Sequence, residues 1–117
     1  RNAFKEDVEA AMDKYNVDVI IYPSWTNPPA LLSRAYADYK GDNSQVIAPA
    51  TGLPAATVPM GFSHGNLPAG LQFLARAFQE ELLFSAAYAY EQKTKHRKAP
   101  KIFSEIQREN IIMKVSK

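Results

Sequence analysis

The stretch from Gly52 to Gln72, GLPAATVPMGFSHGNLPAGLQ, decides the fold predicted for this chain. Its prolines fix the backbone and remove amide donors, and its glycines permit turns, around two short apolar runs. The first run covers residues 55–58 and the second covers residues 69–75. Between them, Ser63-His64-Gly65-Asn66 is a cluster of turn-forming residues. The pattern therefore predicts a β-hairpin over about residues 55–75 that enters a buried sheet.

The residues before the hairpin carry a helical and then a strand pattern. Residues 2–15 are predicted to form an amphipathic helix that packs on the core and stops at Asn16. The apolar stripe of this helix is Phe4, Val8, Met12 and Tyr15. Residues 17–22 form a β-branched run without alternation, which predicts a central strand covered on both faces and ended by Pro23. Residues 24–45 have no sustained period, so we expect a largely irregular segment that forms the walls of a pocket.

A second helix is predicted after the hairpin, over residues 81–94. Phe78 and Leu83 are spaced as a hydrophobic staple across its start at Gln79. Farther on, Ser104-Glu105-Ile106-Gln107 fits a capping box. The tail over residues 101–117 is therefore predicted to contain a short helix.

Composition excludes several classes of function. The chain of 117 residues has no cysteine and a net charge of only +2, and its two histidines lie far apart. We therefore predict no metal site and no cofactor. A basic run over residues 93–101 follows a helix end, where cations offset the helix dipole, so we predict no nucleic-acid partner. No apolar run is long enough to span a membrane and no signal peptide precedes Arg1, which predicts a soluble, cytoplasmic fragment or processed chain.

Three motifs in fixed order carry a resemblance to a known family. They are Gly52-Leu53-Pro54-Ala55, then Val58-Pro59-x-Gly61-Phe62, then Leu67-Pro68-x-Gly70-Leu71-Gln72. With the preceding DVIIYP strand at residues 18–23 and a helix ending near Tyr90-Glu91-Gln92, they resemble the C-terminal end of the amidase signature family of hydrolases. The resemblance implies an α/β fold, the C-terminal part of a mixed sheet with the hairpin flanked by helices. Residues 1–117 would form a single partial domain of a larger amidase domain.

The resemblance also implies a function in which this chain carries no catalytic residue. Family members cleave or transfer from carboxylic amides with two serines and a lysine, and the two serines lie in an upstream Gly/Ser-rich stretch that nothing here matches. The complete amidase that contains this segment would act on a small amide. The remainder of the amidase chain would be the partner of this segment, and the segment alone would be inactive. The alternative is a non-catalytic interaction module that keeps this C-terminal layout.

Two candidate site features also have simpler interpretations. Gly61-Phe62-Ser63-His64-Gly65 matches the nucleophile-elbow pattern, but an elbow needs a helix directly after it, so we interpret Ser63 and His64 as turn residues. In the branch of the family that amidates glutamyl-tRNA, an acidic residue at a similar distance ahead of the GLPA loop helps to read the substrate. Asp42 stands at that offset and is a candidate substrate-binding residue, with a turn-capping role as the alternative.

Self-association follows from the small number of predicted elements. About three helices and three strands leave apolar surface exposed, so we predict a dimer or an aggregate at high concentration. The expected contact is the face around Ile20, Tyr22 and Phe73. Sedimentation at rising concentration measures this, and a stable monomer that binds no hydrophobic dye would contradict both the exposed face and the fragment interpretation.

Overall fold

A three-stranded antiparallel sheet organises residues 2–41 and 46–100, the part of the chain that the computed structural model describes. The strands are β1, Val19–Pro23; β2, Ala55–Ser63; and β3, Leu67–Ala75. They lie in the order β1-β3-β2, so that β3 pairs with both neighbours. The hairpin predicted over about residues 55–75 is confirmed as β2, a turn and β3.

Four α-helices accompany the sheet in the described part of the chain. Their bounds are α1, Asn2–Tyr15; α2, Ala35–Asp38; α3, Ile47–Thr51; and α4, Glu80–Thr94. The two longer helices confirm the predictions, whereas α3 was not predicted. The described part of residues 24–45 is irregular apart from α2 and the 3₁₀ turn before it. No helix among the described residues is long and apolar enough to cross a membrane, and the predicted terminal helix in residues 101–117 lies outside them.

The hairpin contains two local devices that its glycines permit. At the turn, His64 and Gly65 both adopt positive φ, at 46° and 88°. In β2, the register shifts between Pro59 and Gly61, where Gly61 has a φ of 123° that favours glycine. The pairing of β2 with β3 continues on both sides of the bulge, up to the turn.

The predicted helix stop at Asn16 is confirmed by its hydrogen bonds. Asn16 has a φ of 49°, and its amide donates to the Asp13 carbonyl at 3.1 Å. The Val17 amide donates to the Met12 carbonyl at 3.0 Å, which completes a Schellman motif. Two carbonyls at the end of α1 are therefore satisfied where the chain turns toward β1. The Arg76 guanidinium, 2.7 Å from the Asp13 carboxylate, joins this end of α1 to the end of β3.

The GLP turn fixes the entry to the hairpin. Gly52 has a φ of 77° and donates from its amide to the Ala48 carbonyl at 2.7 Å, which ends α3. The buried Thr51 hydroxyl donates to the Ile47 carbonyl at 2.7 Å and accepts from the Leu53 amide at 3.2 Å. A non-glycine residue at position 52 would have to adopt a strained left-handed backbone.

Strand alternation gives the sheet two different faces. On one face, the residues paired across the strands are apolar, and α4 covers those of β2 and β3. Its core consists of Leu71, Phe73, Ala75, Leu83 and Ala87. On the other face, Leu74 is completely buried beside its partners Ile20 and Ala55. Met12 and Leu53 are also buried and do not belong to the α4 cluster, so apolar side chains are covered on both sides of the sheet.

The prediction that residues 17–22 form a central, doubly covered strand is wrong. β1 pairs only with β3 among the described strands, so β3 is the central strand. Ile21 lies on the α4 side opposite Phe73 but remains 58% exposed, because α4 packs over β2 and β3. The lack of alternation in sequence arises because Ile20 and Tyr22 on the other face are large as well.

Three further predictions about packing are wrong. Phe78 has a φ of 63° and is 91% exposed, so the backbone turns it away from Leu83 and no staple forms. In the α1 stripe only Met12 is buried, while Phe4 and Tyr15 at its ends are exposed. Phe73 lies beneath α4, on the face opposite Ile20 and Tyr22, so these three residues cannot form one contact face. Self-association itself stays a prediction.

Adjacent leucines in α4 test how much of the stability comes from this core. Leu83 is 1% exposed and belongs to the cluster, whereas Leu82 is 38% exposed. We expect Leu83→Ala to lower the free energy of unfolding by about 2–5 kcal/mol through lost burial and a cavity. Leu82→Ala, with the same change in helix propensity, should cost about 1 kcal/mol or less. Urea denaturation measures both values, and equal losses would contradict the described packing of α4.

Candidate functional site

A cavity of about 620 Å³ lies beside the end of the hairpin. One wall comes from the irregular segment after β1 and from the residues that follow α2. The other wall comes from the bulge and end of β2 and from the start of β3. The described part of the segment predicted to form pocket walls therefore does so, with the hairpin as the opposite wall.

The cavity walls are mainly apolar, with a few polar groups among them. The apolar lining residues are Pro23, Trp25, Pro28, Pro29, Ala30, Met60, Pro68 and Ala69. The polar and charged ones include Asn27, Asp38, Lys40, Ser63 and His64. A concave apolar surface with a small number of polar groups is typical of a site for a small organic molecule. Because four wall residues are prolines, much of the surface has a fixed backbone geometry.

Two polar contacts hold the irregular wall in place. The Asn27 side-chain amide donates to the Gly41 carbonyl at 3.2 Å and so joins the two arms of the loop across 14 residues. The Asp38 carboxylate lies 3.0 Å from the Arg34 guanidinium, one helical turn away. The charge of Asp38 is therefore paired, whereas Asn27 acts as a structural brace.

A row of polar side chains lies next to the cavity, on the sheet face opposite α4. Tyr22 of β1 pairs with Gln72 of β3, and Gln72 pairs with Thr57 of β2. Directly paired residues share a face, so the three side chains form one rung across the sheet. We call Tyr22, Gln72 and Thr57 the polar rung. In the next rung the Ser24 amide donates to the Gly70 carbonyl at 2.8 Å.

Gly70 connects the polar rung to the cavity. It lines the cavity, and a Cβ at this position would lie 2.8 Å from Thr57 Cγ2 and 2.9 Å from Ser24 Oγ. These distances are shorter than van der Waals contact, so only glycine fits there without a shift of its neighbours. The Ser24 hydroxyl also lies 3.4 Å from the Thr57 hydroxyl. The side chains on both sides of Gly70 therefore close over it.

Tyr22 is the chemically unusual member of the polar rung. Its hydroxyl is buried and has no hydrogen-bond partner among the described residues. Burial raises the pKa of Tyr22 above the usual value of 10.0. A buried hydroxyl without a partner is destabilising, because its hydrogen bond to water is lost on folding and not replaced.

The sequence located part of this site. Ser63 ends β2 and His64 lies in the turn, and the chain continues into β3 rather than a helix, so the geometry of a nucleophile elbow is not formed. Both residues nevertheless line the cavity. Asp42 lies outside the described residues, directly after Gly41 in sequence. The polar rung was not predicted, although Gln72 between two apolar neighbours in β3 is a signal for it.

The basic run after α4 makes two contacts with aromatic rings in the described residues. The Lys98 ammonium lies 5.9 Å from the centre of the Phe62 ring. The His96 ring lies 6.3 Å from the Tyr90 ring. These contacts place the run against the hairpin and α4 of the same chain. The absence of a nucleic-acid partner stays a prediction.

Comparison with known proteins gives consistent matches. A family model described as amidase matches residues 1–84. The glutamyl-tRNA(Gln) amidotransferase subunit of Oceanobacillus iheyensis is 33% identical over 102 residues, which cover 84% of this chain and 20% of that protein. The protein of the same name from Moorella thermoacetica is 37% identical over 107 residues, which cover 87% of this chain and 21% of that protein. The chain thus spans about a fifth of the length of these relatives.

Solved structures show the same relation. The peptide amidase from Stenotrophomonas maltophilia has a TM-score of 0.64 and 38% identity, covering 80% of this chain and 18% of that one. An amidase family protein from Bacillus anthracis has a TM-score of 0.63 and 24% identity, covering 86% of this chain and 16% of that one. The second likeness concerns the fold alone.

The raised pKa of Tyr22 predicts a specific loss of stability at alkaline pH. The folded state holds the phenol proton more tightly than the unfolded state. The free energy of unfolding is therefore unaffected by this ionisation below about pH 10, and it falls as the pH rises from there through the folded pKa. In Tyr22→Phe the free energy of unfolding should fall less between about pH 9 and about pH 11 than in the wild type. Urea denaturation across this range measures the difference.

Tyr36→Phe is the control for this comparison, because the Tyr36 side chain is completely exposed. Its pH profile should follow that of the wild type. A Tyr22→Phe profile as steep as both would show that the folded state does not hold this proton.

Proposed function

This chain belongs to the amidase family, and we propose that it is the C-terminal segment of an enzyme that hydrolyses carboxylic amide C–N bonds or transfers nitrogen from them. The observation that carries the proposal is the unequal coverage of the matches: nearly the whole chain aligns, but with only about a fifth of each relative. In the proposed mechanism a serine attacks the amide carbonyl, assisted by a second serine and a lysine, and all three lie upstream of these 117 residues.

The role proposed for this segment is to complete the sheet and to supply one wall of the acyl pocket. Support for this role comes from the cavity, whose apolar lining with few polar groups suits the carbon skeleton of a small amide. Trp25 and Met60 present large apolar side chains to it, and Asn27 braces the loop that carries Trp25. A pocket wall of this kind binds and orients the substrate, whereas the bond-breaking steps need the upstream groups.

Asp42 is proposed as a further contact to the substrate. It directly follows Gly41, which lines the cavity. A carboxylate that contacts the substrate favours substrates with an amino group, through an ionic hydrogen bond. Asp42→Asn would then weaken the binding of amino-bearing amides more than that of amides without one.

The proposed function is tested by comparing the 117-residue chain with the complete polypeptide that contains it. We expect the complete polypeptide to release ammonia or amine from simple aryl and alkyl amides, and the 117-residue chain to give no turnover above buffer, because it lacks the serines and the lysine. A coupled ammonia assay or chromatography of the released amine measures both.

The chain offers its own control for this assay. Ser63 lines the cavity and is the serine of the sequence that matches the nucleophile-elbow pattern. Ser63→Ala therefore tests whether any turnover by the 117-residue chain comes from this hydroxyl. Turnover by the 117-residue chain that disappears in Ser63→Ala would contradict the placement of the nucleophile upstream. A complete polypeptide that folds but hydrolyses no amide would favour the non-catalytic interaction module instead.

A further inference from the structure

We propose that the polar rung of Tyr22, Gln72 and Thr57 is the docking surface for a polar loop of the remaining amidase chain, which carries a hydrogen-bond acceptor for the Tyr22 hydroxyl. This inference rests on the proposed function and specifies where the upstream part contacts this segment. The role assigned to Tyr22 is to position that loop beside the cavity.

The chemistry of the two sheet faces supports a loop rather than a helix as the occupant. The rungs toward α4 are apolar, for example Ile21 with Phe73 and Ala56, and a helix covers that side of β2 and β3. The polar rung instead presents a phenol, an amide and a hydroxyl side by side. Such a surface needs hydrogen-bonding partners, which an irregular backbone supplies and the apolar face of a helix does not.

The Tyr22 hydroxyl lacks a hydrogen-bond partner among the described residues, which points to a partner supplied from elsewhere. The Thr57 hydroxyl has Ser24 as a neighbour at 3.4 Å, whereas the Tyr22 hydroxyl is buried without any partner in the described part of the chain. Native proteins satisfy the large majority of buried polar groups. A phenol whose pKa is raised by burial remains protonated at neutral pH and can donate to a carbonyl, carboxylate or hydroxyl oxygen.

The position of the rung connects the occupant to the reaction. Gly70 touches both the cavity and the rung, because its missing Cβ leaves room only for the Thr57 and Ser24 side chains. Pro23, the residue after Tyr22, also lines the cavity, so a loop that covers the polar rung lies next to cavity residues. Since about four fifths of the length of the relatives lies outside this chain, a segment of the same polypeptide is available to cover the rung.

The test is a comparison of Tyr22→Phe in two contexts, the 117-residue chain and the complete polypeptide. In the chain, the substitution removes an unsatisfied hydroxyl, so the thermal midpoint should stay unchanged or rise by up to about 4 °C. In the complete polypeptide the same substitution removes a hydrogen bond, so the midpoint should fall by about 2 °C or more. This reversal of sign is the expected result, and a change of the same sign in both contexts would overturn the proposal.

Enzyme kinetics separate positioning from a merely structural contact. We expect Tyr22→Phe in the complete polypeptide to lower kcat about fivefold or more, with KM within about twofold, because one lost hydrogen bond displaces the docked loop beside the cavity rather than the pocket wall. Tyr36→Phe, on a completely exposed side chain, should leave both the midpoint and the kinetics unchanged. A midpoint that falls while kcat stays constant would remove the positioning role.

The remaining outcomes distinguish this inference from the proposed function. If the complete polypeptide hydrolyses amides but Tyr22→Phe shows no reversal of sign, only the docking proposal fails. If the reversal occurs in a polypeptide without amide turnover, docking stands and the proposed function fails. A destabilisation in the 117-residue chain that grows with its concentration would indicate a second copy of the chain on the rung, and would overturn the proposal. If Tyr22→Phe prevents the complete polypeptide from folding but leaves the 117-residue chain folded, that result would support the docking proposal.

Discussion

The pairing of β3 with two neighbours is the constraint on which the rest of the described structure depends. Its register assigns each side chain of the sheet to a face, because a shift by one residue would exchange the two faces completely. Leu71, Phe73 and Ala75 then point toward α4, whereas Gln72 and Leu74 point away. The core, the polar rung and the wall of the cavity all follow from this single alternation.

The two faces of the sheet differ in how completely this chain satisfies them. On the α4 side, the helix contributes Leu83 and Ala87 and buries the β3 side chains, while Ile21 on the edge strand remains exposed. On the other side Leu74 is buried, but the neighbouring Tyr22 hydroxyl has no partner in the described residues. An apolar side chain left exposed at the edge of a sheet costs little stability, whereas a buried polar group without a partner is destabilising. The second face therefore gives the more specific support for the proposed docking of a further segment.

Under the proposed function, the site is divided between this chain and the upstream part of the protein. The chain provides a wall with fixed proline geometry, a braced loop and a close-packed glycine, which suit the binding role proposed for it. Ser63 and His64 border the same cavity, but strand, turn and strand follow one another there, which leaves no elbow. A segment that binds and a segment that reacts can be far apart in sequence, because catalysis requires only that the reacting atoms meet in space.

Local patterns in the sequence determined the hairpin, the two long helices and the stop at Asn16, because turn residues, periodicity and caps act over a few neighbouring positions. They also located the irregular segment that forms a pocket wall. Tertiary structure alone decided that β1 lies at the edge and that Tyr22 shares a rung with Gln72 and Thr57. These features depend on strand order and register between residues about 50 positions apart, and a pattern read along one stretch of chain contains no information about which strand lies beside it.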